Sequence, residues 1–435
     1  MNRNVFDKII NWDKEYTGKA LILTGAPGTG KTYLSQELAK NFHDSYLYLN
    51  PRNDYKLKCA LFELSAQEKP DFSGFLHDYY QIPYEWLSEF LIILDDFDWF
   101  PELHILLECI SINTYLFRLL ILSTTKPNKH LSEQCHICEI TPLEFDEYLR
   151  AIGSEWYTEI IQAHYQTKKK IPEIVHKEML NLFRDYLRVG GMPSAINEYI
   201  HTESTNSLFS VHRNLNEAFL SQFRRYNESS SIRLNQIMEH IPDQLIKSNK
   251  NYRYNMIRKG ATHNMYRTEI QYLSDLHLIN KIERADFELN DNKILITTHD
   301  NQFRLFPIDS GILYSQIMSS SSEYADGAEE EDIGNSSANS LYQLLAETYL
   351  LFTLKTRSYK TMFWESGSQA KIDCITLFDN SIMPIEIKYL ENKRSKSMHV
   401  FKHKFPILKT MKFGLNNFSV DEQTINCPIY SLFCL

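Results

Sequence analysis

One short run of small residues constrains this chain more than any other feature of its sequence. The run is Gly25-Ala26-Pro27-Gly28-Thr29-Gly30-Lys31-Thr32, and it meets every position of the phosphate-binding loop pattern. The apolar segment 19–24 predicts a strand before the loop, and the helical periodicity of segment 32–42 predicts a helix after it. A glycine-rich turn that matches by chance is the alternative, and the flanking strand and helix argue against it.

The residue types of this loop suit a nucleoside triphosphate. Glycines allow successive backbone N–H groups to curl around phosphate oxygens, and the helix that begins in the loop adds the positive end of its dipole. We expect Lys31 to reach the β- and γ-phosphates and the Thr32 hydroxyl to ligate Mg²⁺. The sequence therefore predicts ATP and Mg²⁺ as cofactors.

A second nucleotide motif lies further along the chain. Four apolar residues, 91–94, lead directly into Asp95 and Asp96. Parallel strands deliver such groups to the carboxyl edge of a sheet, so Asp95 is a candidate Mg²⁺ ligand and Asp96 a candidate catalytic carboxylate that orients the attacking water. Glutamate is commoner at the second position, and the shorter aspartate predicts slow hydrolysis. The alternative is a buried strand that ends in a solvated acidic turn.

The next predicted strand, 119–123, ends in a polar residue. Ser123 stands where a polar sensor of the γ-phosphate is expected, which makes it a candidate nucleotide contact. Ordinary polarity at the end of a strand explains the same residue equally well. We therefore keep both interpretations of Ser123.

Length and composition bound the class of protein. A chain of 435 residues predicts two or three domains. No apolar stretch reaches membrane-spanning length and the first residues do not resemble a signal peptide, so we expect a cytoplasmic protein without a membrane partner. The net charge of −9 argues against general coating of nucleic acid. The seven cysteines suit reduced thiols, and the Cys135-x-x-Cys138 pair lacks a second ligand pair at zinc-site spacing.

The pattern of elements predicts an α/β protein of several domains. Apolar strands alternate with helices around the loop, which is typical of a parallel sheet covered on both faces. The middle of the chain turns helical, and two strand-like runs, 279–283 and 293–298, follow its last helix as in a winged-helix module. The predicted segments are a P-loop ATPase domain over 1–140, a helical lid or extension over 141–205, a winged-helix-like domain over 206–318, an acidic and serine-rich linker over 319–340 and an α/β domain over 341–435.

The C-terminal segment carries a second candidate site. Residues 372–389 predict a hairpin in which Glu386 and Lys388 share one face and Asp373 lies opposite or diagonal to them. Glu347, on the preceding predicted helix, adjoins the apolar side, where a carboxylate is costly unless a metal or a lysine pairs with it. Carboxylates and a lysine gathered in this way are able to hold Mg²⁺ and a water. A charged solvent face of the hairpin is the alternative.

Together these motifs resemble those of bacterial and archaeal AAA-type ATP-binding proteins whose C-terminal domain of unknown function has a restriction-endonuclease-like, PD-(D/E)XK fold. The resemblance covers nearly the whole chain. Besides the loop and the acidic strand, it rests on a Pro-Leu box, a Gly-Gly-x-Pro box, the end of a winged-helix segment, an Asp-x-Gly-Leu turn and an apolar tail. These are Pro142-Leu143-Glu144-Phe145, Gly190-Gly191-Met192-Pro193, Tyr272-Leu273-Ser274-Asp275-Leu276, Asp309-Ser310-Gly311-Ile312-Leu313 and Pro428-Ile429-Tyr430-Ser431-Leu432-Phe433.

The resemblance implies roles for individual residues. Related signal-transducing ATPases with numerous domains pack the proline of a Gly-x-Pro box against adenine, which makes Pro193 a candidate base contact. A helix-ending turn is the alternative interpretation of that box. The nuclease-like active-site positions hold three carboxylates as metal ligands and a lysine that orients water, and they correspond to Glu347, Asp373, Glu386 and Lys388.

The chain departs from the family pattern in three places. The acidic strand ends in two aspartates where relatives have Asp-Glu, and the Gly-Arg that relatives carry before the Pro-Leu box is missing. Both departures argue against rapid ATP turnover. Lys371 stands where relatives often have an acidic residue, which alters the predicted metal site. An arginine that stabilises transition-state charge is expected in such ATPases, and the candidates are Arg118, Arg150, Arg184 and Arg188.

These observations leave three hypotheses of different classes. The leading one is an ATPase that regulates a fused Mg²⁺-dependent nuclease-like domain acting on DNA. The second is a slow ATP-dependent switch or scaffold whose nuclease fold is inactive or only binds nucleic acid, with a protein partner or a second copy of the chain. The third is an AAA-type motor that works as a ring. The aspartate at position 96 and the missing arginine favour a slow switch over a fast motor.

Overall fold

The computed structural model describes the chain from residue 3 to residue 435, except for residues 113–114, 203–204, 248, 291–292, 321–335, 368–369, 379–380, 390–395, 408 and 422. The chain forms two compact units. The first comprises Met1–Thr141 with Asp275–His277, and the second comprises Pro142–Ser274 with Leu278–Leu435. Within the described ranges, no helix has the length and apolar character that crossing a membrane requires.

A parallel sheet of five strands forms the centre of the first unit. Its strands are β1 (Leu21–Thr24), β2 (Tyr46–Leu49), β3 (Leu91–Asp95), β4 (Arg118–Ser123) and β5 (His136–Glu139). They are ordered β2-β3-β4-β1-β5, and every neighbouring pair is parallel. The central strands are buried almost throughout, because the sheet is covered on both faces. The predicted parallel α/β sheet is confirmed.

Alternation of side chains along the strands divides the core of this unit into two layers. Ile92 and Ile121 pack into one layer, and Ile93 and Leu122 pack into the other. The two layers hold the strands firmly, so that the loops at their carboxyl ends have fixed starting points. The helices of the unit are α1 (Phe6–Lys14), α2 (Lys31–Phe42), α3 (Tyr55–Ser65), α4 (Phe72–Tyr80), α5 (His104–Ile112) and α6 (Lys129–Gln134).

The second unit begins with a series of helices. Of the predicted linker, residues 321–335 lie outside the described residues, and the residues on either side end one helix and begin the next. The helices of this unit are α7 (Phe145–Ala151), α8 (Trp156–Thr167), α9 (Glu173–Val189), α10 (Pro193–Thr202), α11 (Thr205–Ser221), α12 (Glu228–Leu245), α13 (His263–Asp275), α14 (Ser310–Ser320), α15 (Ser336–Thr356) and α16 (Lys396–Lys404). The last residue of α13 already belongs to the first unit.

A mixed sheet of eight strands completes the second unit. The strands are β6 (Ile279–Asn290), β7 (Lys293–Pro307), β8 (Thr361–Ser366), β9 (Ala370–Phe378), β10 (Ser381–Lys388), β11 (Thr410–Gly414), β12 (Ser419–Asp421) and β13 (Thr424–Pro428). Their order is β12-β13-β11-β10-β9-β8-β6-β7. The expected hairpin is present as the antiparallel pair β9–β10, although residues 379–380 of its expected turn lie outside the described residues.

The hairpin β6–β7 differs from our expectation of a wing in a separate domain. Both strands are longer than the predicted runs, and β6 pairs in parallel with β8, where Glu283 lies opposite Met362. Phe287 packs into the same core as Trp364 and Phe401. Because β6 pairs with β8 and its Phe287 shares a core with residues of β8, β9 and α16, the hairpin extends the C-terminal sheet. The expected boundary between 318 and 341 therefore does not separate two sheets.

Three of the family boxes meet at one tightly packed junction in the second unit. The Leu143 N–H donates to the carbonyl of Gly191 at 2.6 Å, and the Gly191 N–H donates to Asp309 Oδ2 at 2.7 Å. Asp309 also accepts from the Ile312 N–H at 2.9 Å. A Cβ added to Gly191 would lie 2.2 Å from the carbonyl oxygen of Leu143. Packing of backbone against backbone thus accounts for the residue types in these boxes.

This junction predicts a large steric penalty at Gly191. We expect Gly191→Ala to destabilise the second unit by about 3 kcal/mol or more, because the new methyl group meets backbone that has no room to move. Gly260→Ala is the control: its added Cβ meets nothing within 4 Å, and its positive φ of 82° alone should cost about 1 kcal/mol. Equal losses in urea denaturation of the two variants would contradict this explanation.

Candidate functional site

The predicted phosphate-binding loop lies at the carboxyl edge of the parallel sheet. β1 ends at Thr24 and α2 begins at Lys31, so that residues 25–30 form the turn between them. Gly30 caps α2 with a φ of 101°, a left-handed value that favours glycine. A side chain on Gly25 would place its Cβ 2.1 Å from the carbonyl oxygen of Ile140. The backbone path therefore requires both glycines and presents the N-terminus of α2, where an anion is stabilised.

Lys31 is held inside this loop. Its Nζ donates to the carbonyl oxygens of Gly25 at 2.7 Å and Ala26 at 3.0 Å, and the residue is 7% exposed. Burial lowers the pKa of Lys31 to about 8, although the nearby carboxylates of Asp98 and Asp95 act in the opposite direction. Phosphate oxygens would offer the ammonium stronger, charged acceptors than these carbonyls.

Asp95 joins the loop helix to the acidic strand. Its Oδ2 accepts from Thr32 Oγ1 at 3.1 Å and from the Tyr48 hydroxyl at 2.5 Å. Burial raises the pKa of Asp95, and the two hydrogen bonds offset part of that increase. A hydroxyl and a carboxylate in contact are oxygen ligands that suit Mg²⁺. Thr32 and Asp95 are therefore the residues that would hold the Mg²⁺ of a bound nucleotide.

Asp96 lies at the same carboxyl edge of the parallel sheet, and its backbone conformation is uncommon for a residue other than glycine. Its φ of 56° is left-handed, and it begins a short 3₁₀ turn after β3. Its Oδ2 accepts from Asn50 Nδ2 at 3.2 Å and lies 3.9 Å from a guanidinium nitrogen of Arg52. That guanidinium stacks 3.9 Å from the centre of the Trp99 ring. The candidate catalytic carboxylate therefore has an amide donor and an arginine beside it.

These neighbours of Asp96 were not selected from the sequence. Asn50 and Arg52 follow β2 directly, and β2 adjoins β3 in the sheet. Predicting that Asn50 and Arg52 lie beside Asp96 requires the order of the strands in the sheet, and no local sequence motif specifies that order. The available signal was the general rule that polar residues after neighbouring parallel strands share one edge.

Ser123 contacts an acidic residue that we had not singled out. The Ser123 hydroxyl donates to Asp98 Oδ2 at 2.8 Å, and the Thr125 hydroxyl donates to the same oxygen at 3.0 Å. Asp98 thus links the end of β4 to the turn after β3. The close sequence of aspartates at 95, 96 and 98 was the signal that could have indicated it.

The segment Asp275–His277 also belongs to the first unit, although the chain before and after it belongs to the second. His277 has a left-handed φ of 58° and is 3% exposed. Its ring nitrogens lie 2.9 Å from Thr24 Oγ1 and 2.9 Å from Glu139 Oε1. Because Thr24 immediately precedes the loop, this segment is bonded to the starting point of the phosphate-binding turn.

Other predicted nucleotide contacts are not brought to this edge by the first unit. Pro193 begins α10 and lies in the second unit, so its contact with adenine stays a prediction. Among the arginine candidates, Arg118 lies 3.3 Å from Asp13. Arg188 lies in the second unit, 2.5 Å from Asp185.

The second unit brings the predicted nuclease-like carboxylates together. Glu347, Asp373 and Glu386 line one small pocket between α15 and the hairpin β9–β10. The register pairs Ile385 with Cys374, and Glu386 and Asp373 are the next positions on the two strands. Lys388 contacts this group through Glu386, with Nζ 3.0 Å from Oε1.

Basic side chains already pair with these carboxylates. Arg304 lies 2.7 Å from Asp373, and Lys250 forms an ion pair with Glu347. Burial alone would raise the pKa of Asp373, but the charges of Lys250, Arg304 and Lys371 outweigh it and hold that pKa well below its ordinary value. In the part of the chain that the structure describes, no group of three His, Cys, Asp or Glu side chains is placed to hold a metal ion. The arrangement does not fit the predicted nuclease Mg²⁺.

Comparison with known families identifies three matching regions. Residues 17–149 match the family described as an AAA domain. This chain contains an AAA-type ATPase domain. Residues 180–323 match a "Domain of unknown function (DUF8612)", and residues 343–432 match a "Domain of unknown function (DUF4143)". A comparison with curated proteins gives no significant match.

Several solved structures are distantly similar to this chain. A Walker-type ATPase of Pyrococcus abyssi is 12% identical over 72% of this chain and 95% of its own, with a TM-score of 0.44. A signal transduction ATPase with numerous domains and a tetratricopeptide repeat sensor, from Pyrococcus horikoshii, is 15% identical over 82% of this chain and 45% of its own, with a TM-score of 0.27. The RuvB Holliday junction branch migration motor of Thermotoga maritima is 13% identical over 68% and 92%, with a TM-score of 0.28. We draw no argument about substrate or partner from these structures.

The lowered pKa of Lys31 predicts that nucleotide affinity depends on pH. Lys31 is charged below its pKa of about 8 and neutral above it, and only the charged form attracts phosphate. ATP affinity should therefore fall about tenfold between pH 7 and pH 9, with proton uptake on binding above pH 8. Calorimetry in buffers of different ionisation enthalpy measures both effects.

Lys31→Ala is the control for this prediction. The variant should bind ATP more weakly, and its remaining affinity should not follow a titration near pH 8. A wild-type affinity that stays constant from pH 7 to pH 9 would contradict the proposed role of the Lys31 charge.

Proposed function

We propose that this protein is an ATP-dependent switch, which binds ATP with Mg²⁺, hydrolyses it slowly and uses the nucleotide state to alter the second unit. The observation that carries the proposal is the convergence of nucleotide-binding groups at one sheet edge. Lys31 lies inside the loop, Thr32 and Asp95 are in contact at 3.1 Å, and Asp96 follows at the end of β3.

Binding and hydrolysis follow from this arrangement. Lys31 exchanges its two carbonyl acceptors for phosphate oxygens, and Thr32 and Asp95 would hold Mg²⁺, which when bound offsets charge on the β- and γ-phosphates. Asp96 orients a water for in-line attack on the γ-phosphorus and takes up its proton. The bond from the γ-phosphorus to the β-bridging oxygen breaks as the bond to water forms, so that ADP and phosphate leave.

Arg52 is our candidate for the arginine that relatives supply elsewhere. Its guanidinium is fixed over the Trp99 ring and lies 3.9 Å from Asp96, so it is beside the carboxylate that orients water. A positive charge there stabilises the charge that develops on the γ-phosphoryl oxygens. The arginine would act within the same chain, without a contribution from a neighbouring subunit.

Two features of Asp96 support slow turnover. Aspartate extends one methylene less than glutamate, and its Oδ2 is already engaged by Asn50 at 3.2 Å. One of the two carboxylate oxygens of Asp96 therefore already accepts a hydrogen bond before water binds. A switch requires a long-lived ATP-bound state, whereas a rapid motor requires fast turnover of bound ATP.

The segment Asp275–His277 supports transmission of the nucleotide state. Its His277 is bonded to Thr24, next to the loop, while α13 ends at Asp275 and β6 begins at Ile279. A shift of the loop on nucleotide binding would be passed along the backbone to those elements. This connection requires no second copy of the chain.

A Mg²⁺-dependent nuclease acting on DNA is the second candidate. Its support is the shared pocket of Glu347, Asp373 and Glu386. Against it stands the pairing of those carboxylates with basic side chains. The proposed switch function does not require cleavage of phosphodiester bonds.

The switch proposal predicts a catalytic role for Asp96 that is separate from binding. Asp96→Asn keeps the size of the side chain and removes its ability to take up a proton. We expect ATP turnover to fall about a hundredfold or more while ATP affinity changes less than about threefold. Unchanged turnover in this variant would contradict the assignment.

Arg52 allows a matched comparison with Arg118. Arg52→Ala should lower the turnover number about a hundredfold with ATP affinity nearly unchanged, since the charge acts mainly in the transition state. Arg118→Ala, which removes the partner of Asp13, should change turnover less than about twofold. A larger effect at Arg118 than at Arg52 would overturn the assignment.

Incubation with plasmid, linear and single-stranded DNA, with Mg²⁺ or Mn²⁺ and with or without ATP, separates the two candidate functions. The switch account predicts no cleavage under any of these conditions. Cleavage that is lost in both Asp373→Ala and Lys388→Ala would establish the nuclease instead.

A further inference from the structure

The carboxylate pocket of the second unit contains its own counter-ions. We propose that Arg304 and Lys250 take the place that a divalent metal ion occupies in nuclease-like sites, which makes this pocket a metal-independent ion-pair centre. The inference concerns the second unit alone and does not depend on the proposed ATP-dependent switch.

Arg304 is the central cation of this centre. It is 1% exposed, its guanidinium lies 4.0 Å from the Phe363 ring centre, and its nitrogens donate to Asp373 at 2.7 Å, Glu365 at 3.0 Å and Asn251 at 3.1 Å. One buried guanidinium thus bridges two carboxylates and an amide oxygen. A planar fork of donors suits this role, whereas a hydrated ammonium group does not.

Glu347 has both carboxylate oxygens engaged. Oε2 pairs with Lys250, and Oε1 accepts from Gln343 Nε2 at 2.9 Å. Gln343 Nε2 also donates to the carbonyl of Ile387 at 2.7 Å, which ties α15 to β10. A metal ion would have to displace Lys250 or Gln343 to reach this carboxylate.

The charges of the centre are already balanced. Its carboxylates are Glu347, Glu365, Asp373 and Glu386, and its cations are Lys250, Arg304, Lys371 and Lys388, so the formal charges cancel. Divalent cations select sites with surplus negative charge from carboxylates. Adding Mg²⁺ here would place surplus positive charge beside Arg304, which is buried and 1% exposed.

The elements that this centre joins explain what it does. Arg304 comes from β7, Glu365 from β8, Asp373 from β9 and Glu386 from β10, while Glu347 comes from α15. The ion pairs of Arg304 therefore connect the hairpin β6–β7 to β8 and β9, and the pair of Lys250 with Glu347 connects the segment after α12 to α15. A site that would bind metal in a nuclease acts here as a positioning centre for the sheet.

Metal titration of the full-length, nucleotide-free protein tests this inference. Free Mn²⁺ measured by electron paramagnetic resonance should show no site in the second unit with a dissociation constant below about 1 mM. Asp373→Asn should leave the titration of the wild-type protein unchanged. Wild-type binding tighter than about 1 mM that Asp373→Asn abolishes would overturn the inference.

A double variant tests the inference in the opposite direction, by a gain of metal binding. Replacing both cations, as Lys250→Gln with Arg304→Gln, releases the carboxylates and should create one Mn²⁺ site at least about tenfold tighter than any in the wild type, removed again by Asp373→Asn. Lys281→Gln is the control, because Lys281 pairs with Glu283 outside the pocket and should gain no site. A folded double variant without a new site would contradict the inference. If the double variant does not fold, the wild-type and Asp373→Asn titrations decide.

All of these titrations are repeated in a Lys31→Ala background, which weakens the nucleotide site. A metal site in the second unit would still be detected in the Lys31→Ala background. Failure of the switch proposal would be detected only in the assays of ATP binding and turnover. The two proposals therefore fail separately.

Discussion

The hydrogen bond between Thr32 and Asp95 is the contact on which the nucleotide site depends. It joins the helix that begins in the phosphate-binding loop to the strand that carries the acidic residues, at 3.1 Å. The three central strands, β1, β3 and β4, are buried almost throughout, so this edge has little freedom to rearrange. Because the Tyr48 hydroxyl binds the same Asp95 oxygen, three neighbouring parts of the sheet edge are tied to one carboxylate.

The sequence predicted the local structure around the phosphate-binding loop and the acidic strand, where the signal is contiguous. The loop 25–32 and the strand before Asp95 are contiguous motifs, and glycine geometry and strand polarity fix their conformation. It did not predict Asn50 or Arg52, because their position beside Asp96 depends on the order of strands in the sheet. The hairpin β6–β7 was expected to be a separate wing for a related reason, since strand pairing with β8 is not encoded in the local pattern.

In the second unit, residue types alone predicted a cluster of carboxylates but not the basic side chains that pair with them. Alternation along the hairpin was enough to predict that Asp373 and Glu386 lie near each other, and both line the same pocket. The partners of these carboxylates come from distant segments, Lys250 before β6 and Arg304 within β7, and neither belongs to a motif. A carboxylate cluster therefore has the residues of a metal site while its electrostatics are those of a buried ion-pair network.

Single-turnover hydrolysis of bound ATP by the full chain with Mg²⁺ is the most direct test of the central claim, that the loop serves a slow switch. The account predicts saturable ATP binding followed by hydrolysis at about 0.01 s⁻¹ or slower, on the order of switch NTPases that carry their arginine in the same chain. Hydrolysis at about 1 s⁻¹ or faster, the usual range of enzymes selected for turnover, would contradict it.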